Sequence, residues 1–157
     1  MRAREYAPPM RVDVEVAALI ARPLAEVAAY SGDPGNAPEW YVNIRSVEWR
    51  TDPPVAVGSQ LDFVAQFLGR RLAYTYEVVE LVPGERLVMR TSDGPFPMQT
   101  TYTWAAVPGG TQMSLRNLGT PRGFGALAAP VMRRAMHAAM TKDLRRLKEL
   151  LERREPA

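Results

Sequence analysis

The residues able to do chemistry are few. His137 is the only histidine, and there is no cysteine. That excludes disulfides, iron–sulfur clusters, thiolate zinc sites, a thiol nucleophile and any two-histidine metal site. General acid–base work needs a group of tuned pKa within reach of substrate. On a helical wheel His137 falls near Arg133, at the edge of an apolar stripe, and reads as a solvent-exposed position. Asp62 and Glu77 have the parity of the solvated face of a sheet, and with Glu80 they form no obvious carboxylate pair. Tyr74, Tyr76 and Tyr102 could orient or protonate an enolate, a modest contribution from hydroxyls whose unperturbed pKa is about 10. Gly123-Phe124-Gly125 lacks the rest of a dinucleotide fingerprint and its strand–helix setting. Ser31 and Ser59 sit in no nucleophile elbow. No catalytic constellation is evident, and neither metal nor cofactor is expected.

These side chains must be positioned by elements that the periodicity outlines. Val12, Val14 and Val16 alternate with Asp13 and Glu15, the period-two signature of a half-buried strand. Pro23 opens a short helix to about Ser31, and a second short helix is predicted over 37–42, carrying Trp40 and Tyr41. From 44 to 117 the pattern is β. Short alternating runs are separated by Asp52-Pro53-Pro54, Gly69-Arg70, Pro83-Gly84, Ser92-Asp93-Gly94-Pro95 and Pro108-Gly109-Gly110, at the spacing that antiparallel hairpins require. The last third switches period. A helix is predicted over 130–153, with Met132, Met136, Ala139, Met140, Leu144, Leu147, Leu150 and Leu151 on one broad stripe. Arg134, Lys142, Arg145, Glu149 and Glu152 lie opposite. Residues 1–10 read as a loose lead-in. Residues 121–130, with two glycines and apolar side chains, read as a mobile gate or an irregular entry to the helix.

The fold class is therefore α+β: about seven antiparallel strands curved around one long C-terminal helix, with two short helices after the first strand. At 157 residues the chain is expected to form a single domain over 1–157. The pattern turns Phe63, Phe67, Tyr74 and Tyr76 inward, with Met89, Thr91, Met98, Thr100, Tyr102 and Trp104. Phe124, Leu127, Met132 and Met136 face them, and Trp40 and Tyr41 belong either at a pocket mouth or at an end-cap of the core. Such a lining is mostly apolar with a few hydroxyls, the usual makeup of a small-molecule site, although the same side chains could simply fill a core.

The order and wording of several segments carry a resemblance. They are Val14-Glu15-Val16 ahead of residues 21–27, residues 33–40, Val57-Gly58-Ser59, Leu68-Gly69-Arg70, residues 76–87, Gly109-Gly110-Thr111 and residues 142–152. Together they cover nearly the whole chain, which resembles the START-like superfamily and, within it, polyketide cyclase/dehydrase-type (SRPBCC) proteins of helix-grip fold. The resemblance implies a deep cavity between sheet and helix that takes apolar or amphipathic small molecules. Some such relatives cyclise or aromatise polyketides, and others carry lipids or quinones.

The favoured reading is thus a binder or carrier of a hydrophobic small molecule. One alternative is an enzyme of the cyclase/dehydrase type, which requires two or more polar side chains converging deep in the cavity. The other is a protein-interaction module whose cavity is incidental. Net charge is only +3, and acidic residues interleave with the arginine pairs, so no nucleic-acid partner is expected. No apolar run is long enough to span a membrane. The expected location is the cytoplasm, and a homodimer stays open.

Overall fold

The computed structural model describes residues 11–94, 97–120 and 129–154. In chain order the elements are β1 (Val12–Ile20), α1 (Leu24–Ser31), a 3-10 turn (Pro34–Asn36), α2 (Ala37–Trp40), β2 (Ile44–Trp49), β3 (Gln60–Phe67), β4 (Arg70–Val82), β5 (Arg86–Asp93), β6 (Met98–Val107), β7 (Gly110–Gly119) and α3 (Ala129–Glu152). All seven strands join one antiparallel sheet in the order β1-β7-β6-β5-β4-β3-β2. Strands β2 to β7 follow one another as neighbours. The single crossover, from β1 to β2, carries the two short helices.

The alternation read in β1 is realised as burial: Val12, Val14 and Val16 are buried and Asp13 and Glu15 exposed. β1 pairs with β7 from Val12 opposite Gly119 to Ile20 opposite Thr111. That pairing brings the end of β1 hard against the β6–β7 turn. Gly110 has φ +146, and a Cβ there would meet the carbonyl oxygen of Ile20 at 2.1 Å. Only glycine fits both the dihedral and the approach. β4 is the longest strand and shifts register between Thr75 and Tyr76 and between Val78 and Glu80, irregularities of the kind that add bend and twist.

α3 lies along β1 and touches α2. Its C-terminal half is fixed at several points. Leu144, Leu147 and Leu151 are buried, each worth about 1.5–3 kcal/mol of burial. Lys148 Nζ donates to the Leu19 carbonyl at 2.8 Å, and the Ala21 N–H donates to Glu152 Oε1 at 3.1 Å. The Arg154 guanidinium sits 4.4 Å over the Tyr30 ring. Trp104 Nε1 donates to Ser31 Oγ at 2.9 Å, tying β6 to α1 at this same end.

The second short helix stops at Trp40, two residues before the expected boundary. The reason is local bonding. The Tyr41 N–H closes the last helical turn on the Ala37 carbonyl, but the Val42 N–H does not continue to Pro38. It donates to Asp143 Oδ1 in α3 at 2.8 Å. Tyr41 takes extended dihedrals, φ −75 and ψ 128, and the chain leaves the helix there.

Candidate functional site

Between the concave face of the sheet and the N-terminal half of α3 lies a cavity of about 120 Å³. Seating one water takes roughly 10–15 Å³ on this measure, so the space is far larger than a packing defect. The inward faces of β3 to β6 supply most of the wall, as alternation at period two dictates. Phe63 and Tyr74 are stacked, with ring centroids 5.4 Å apart and nearly parallel planes, and Tyr76 stands edge-on to both. The roof is Met132, Met136, Ala139 and Met140 of α3.

Of the expected site residues, Tyr41, Phe63, Phe67, Tyr74, Tyr76, Met89, Met98, Thr100, Tyr102, Met132 and Met136 line this cavity. The structure places three others outside the lining. Trp40 is fully buried behind Tyr41, with ring centroids 4.2 Å apart, and serves as an end-cap of the core. The Thr91 hydroxyl donates to the Met98 carbonyl and accepts from the Met98 N–H, which closes the β5–β6 connection. Trp104 is engaged with Ser31 at the opposite end of the fold. Phe124, Leu127 and the gate segment over 121–128 lie outside the described residues. His137 is exposed, and Asp62 is taken up by Arg50 at 2.8 Å and by the Thr75 hydroxyl at 2.6 Å, on the outer face.

Three polar lining residues were missing from the expected set: Asn43, Asn117 and Asp143. Asp143 matters most. It is only 3% exposed, yet it lines the cavity. Its Oδ1 accepts the Val42 N–H, and Oδ2 has no hydrogen-bond partner among the described residues. Burial pushes its carboxyl up to about 7, against the opposing pull of the Val42 N–H and the Arg146 charge. The tyrosine hydroxyls cluster near it. Tyr41 and Tyr102 share a hydrogen bond at 2.5 Å. Tyr74 makes no hydrogen bond among the described residues. Burial raises all three hydroxyls above their ordinary value, and the Asp143 charge adds to each rise. Deeper in the sheet the Tyr76 hydroxyl donates to Thr100 Oγ1 at 2.8 Å, because the single Thr100 proton goes to Asn117 Oδ1 at 2.7 Å.

Asp143 and Asn117 both carried a sequence signal. Position 143 falls at the centre of the α3 stripe, between Met136, Ala139, Met140 and Leu147. Asn117 continues the inward series Thr111, Met113 and Leu115. A polar residue in the middle of an apolar face is the informative exception, since burying one costs free energy unless it has partners. Chemically, a cavity-facing carboxyl that titrates near neutrality, beside hydroxyls that keep their protons, can exchange a proton with a bound molecule. Among the described residues no cluster of acidic or histidine side chains could hold a metal ion.

A family profile described as polyketide cyclase / dehydrase and lipid transport matches residues 11–152. The chain belongs to this family. Among solved structures, family-like folds recur at low identity. A Zhui aromatase/cyclase from a Streptomyces species is 18% identical with TM-score 0.75, over 94% of this chain and 98% of that one. A Thermus thermophilus protein is 18% identical with TM-score 0.76, over 92% and 100%. The major latex-like protein 151 of Panax ginseng is 11% identical with TM-score 0.70, over 89% and 97%. At such identities the likeness speaks for the fold, the helix grip of a curled seven-stranded sheet on one long helix. No curated protein matches the chain.

Proposed function

We propose that this family member binds an apolar or amphipathic small molecule, of lipid, quinone or polyketide type, in the cavity under α3. The observation that carries the reading is the lining itself. Aromatic rings and methionines surround a space much larger than a water, and methionine adapts to irregular apolar shapes. The whole chain acts as one domain in this reading, and its setting is the cytoplasm. Among the described residues no helix is long and apolar enough to cross a membrane. Native mass spectrometry of protein purified from its own host tests the proposal, and a dimer would register as a doubled mass. A bound apolar molecule is expected. Protein that is empty, and that also rejects a panel of lipids, quinones and aromatic polyketides, overturns it.

A specific observation favours the enzymatic reading as a second possibility. Polar side chains do converge on the cavity: Asp143, Tyr41, Tyr74 and Tyr102, with Thr100 and Asn117 further along. Asp143 would serve as the proton carrier for a cyclisation or dehydration, and the rings would shape the reactive chain. Turnover of a poly-β-ketone chain that is lost in Asp143→Asn while binding persists would support catalysis. Turnover retained in that variant would remove Asp143 from the role.

A further inference from the structure

We infer that the cavity, with Asp143 ionised, takes amphipathic ligands whose polar end is a hydrogen-bond donor, a hydroxyl or an amine, and turns away carboxylate and phosphate heads. This deepens the binding reading and rests on it. Three observations carry it. The first is Asp143 itself: a carboxyl 3% exposed that lines the cavity, held by the Val42 N–H through one oxygen, with no hydrogen bond to the other among the described residues. An acceptor oxygen without a protein partner is one that a ligand donor can satisfy.

The second is the lack of any counter-charge. Among the described lining residues there is no arginine, lysine or histidine. Arg146 acts on Asp143 from the exposed side of α3 and is not in the lining. An anionic head brought beside Asp143 would meet a like charge, and two carboxylates sharing one site cannot both stay ionised without cost. The third is the company of hydroxyls. The Tyr41–Tyr102 pair uses one of its two protons internally and keeps the other, and Tyr74 is uncommitted. A ligand hydroxyl can therefore donate to Asp143 and accept from a tyrosine in the same site. A carboxylate could only accept, and it would leave the Asp143 oxygen unmet.

The test is displacement of the neutral dye N-phenyl-1-naphthylamine by matched ten-carbon ligands, decanol and decanoate, at about pH 8.5, where Asp143 is ionised. Decanol is expected to bind about tenfold more tightly or better. In Asp143→Asn the preference should collapse to within about threefold. Wild-type protein gives an independent arm. At about pH 6 decanoate is still an anion while Asp143 is largely protonated and becomes a donor, so the preference should shrink or reverse. The charged and titratable groups that act on Asp143 are Arg146, Tyr41, Tyr74 and Tyr102. The asparagine variant separates Asp143 from these and from His137. Decanoate binding as tightly as decanol at the higher pH overturns the inference, and so does a preference that survives in Asp143→Asn. Failure of the dye and both ligands to bind overturns the binding reading itself.

Discussion

The two halves of α3 lie over one sheet and do opposite things. The C-terminal half is built of leucines, and Leu144, Leu147 and Leu151 are almost wholly removed from solvent. Its Lys148 and Glu152, with Arg154 just past its end, reach across to β1, to Ala21 beyond it and to α1. The N-terminal half is built of methionine and alanine, and it roofs a void. The difference teaches where stability and binding are kept apart. Branched leucines pack to native density and specify one arrangement, whereas unbranched methionines tolerate a surface that changes with its contents. Asp143 stands at the junction, one turn before Leu147 and one after Ala139.

Truncation should break the comparison most sharply. Leu147→Ala is expected to cost about 2–5 kcal/mol in denaturant melts, the range for a buried leucine that leaves a cavity. Met136→Ala, beside space that already exists, should cost less than about 1 kcal/mol. Equal losses would erase the distinction between the halves.

Asp143→Asn comes next. The folded carboxyl titrates near 7, well above its ordinary 3.8. The native state therefore holds a proton between these values that the unfolded chain releases. Stability falls as pH rises through that window and is flat above it. Asparagine escapes the penalty, so the variant should be more stable than wild type by about 1–3 kcal/mol at about pH 8, with the gain shrinking towards about pH 4. Thermal melts at the two pH values check it. A destabilised variant at the higher pH would show that the charge is better solvated than its burial implies.

Met136→Trp fills the roof and should weaken displacement-assay binding by about tenfold, or 1.4 kcal/mol. The fixed half should not notice, so the amide exchange of Leu144, Leu147 and Leu151 should stay as slow as in wild type. Smallest of all is Glu152→Gln. Its carboxyl is held below the usual range mainly by Lys148, so its contribution is present at neutral pH and lost as pH falls. The pair is partly exposed, and the loss should stay within about 0.5 kcal/mol by thermal melt.

How much of this was legible from the residues follows the same division. The chain order of the elements, the hairpins and α3 emerge from period-two and 3.6-period patterns, because those patterns are the direct trace of which face is buried, while the pairing of β1 with β7 is not in them. The aromatic lining of β3, β4 and β6 is legible for the same reason. Two features were not. The end of α2 depends on whether the Val42 N–H bonds to Pro38 or to Asp143, a contact with a residue 101 positions away. Local propensity does not hold that choice, so Trp40 and Tyr41, adjacent in sequence, part company between core and cavity. Asp143 was hidden by its chemistry: a charged residue on a helix is ordinarily surface, and only its exact place on the wheel says otherwise. Trp104 points inward as alternation requires, but inward means core at one end of the sheet and cavity at the other, whereas Thr91, opposite Tyr76 at the cavity end, is withdrawn by the bonds of its hydroxyl to the Met98 backbone.

The methionine roof also has a chemical fate. Thioethers oxidise, and a sulfoxide is polar and chiral where methionine was apolar and pliant. Met136 is half-buried at the cavity edge, while Met132 and Met140 are sealed. Peroxide would reach Met136 first, and a molecule seated beneath it would shield the sulfur. The oxidation state of one side chain would then keep a record of whether the cavity had been occupied.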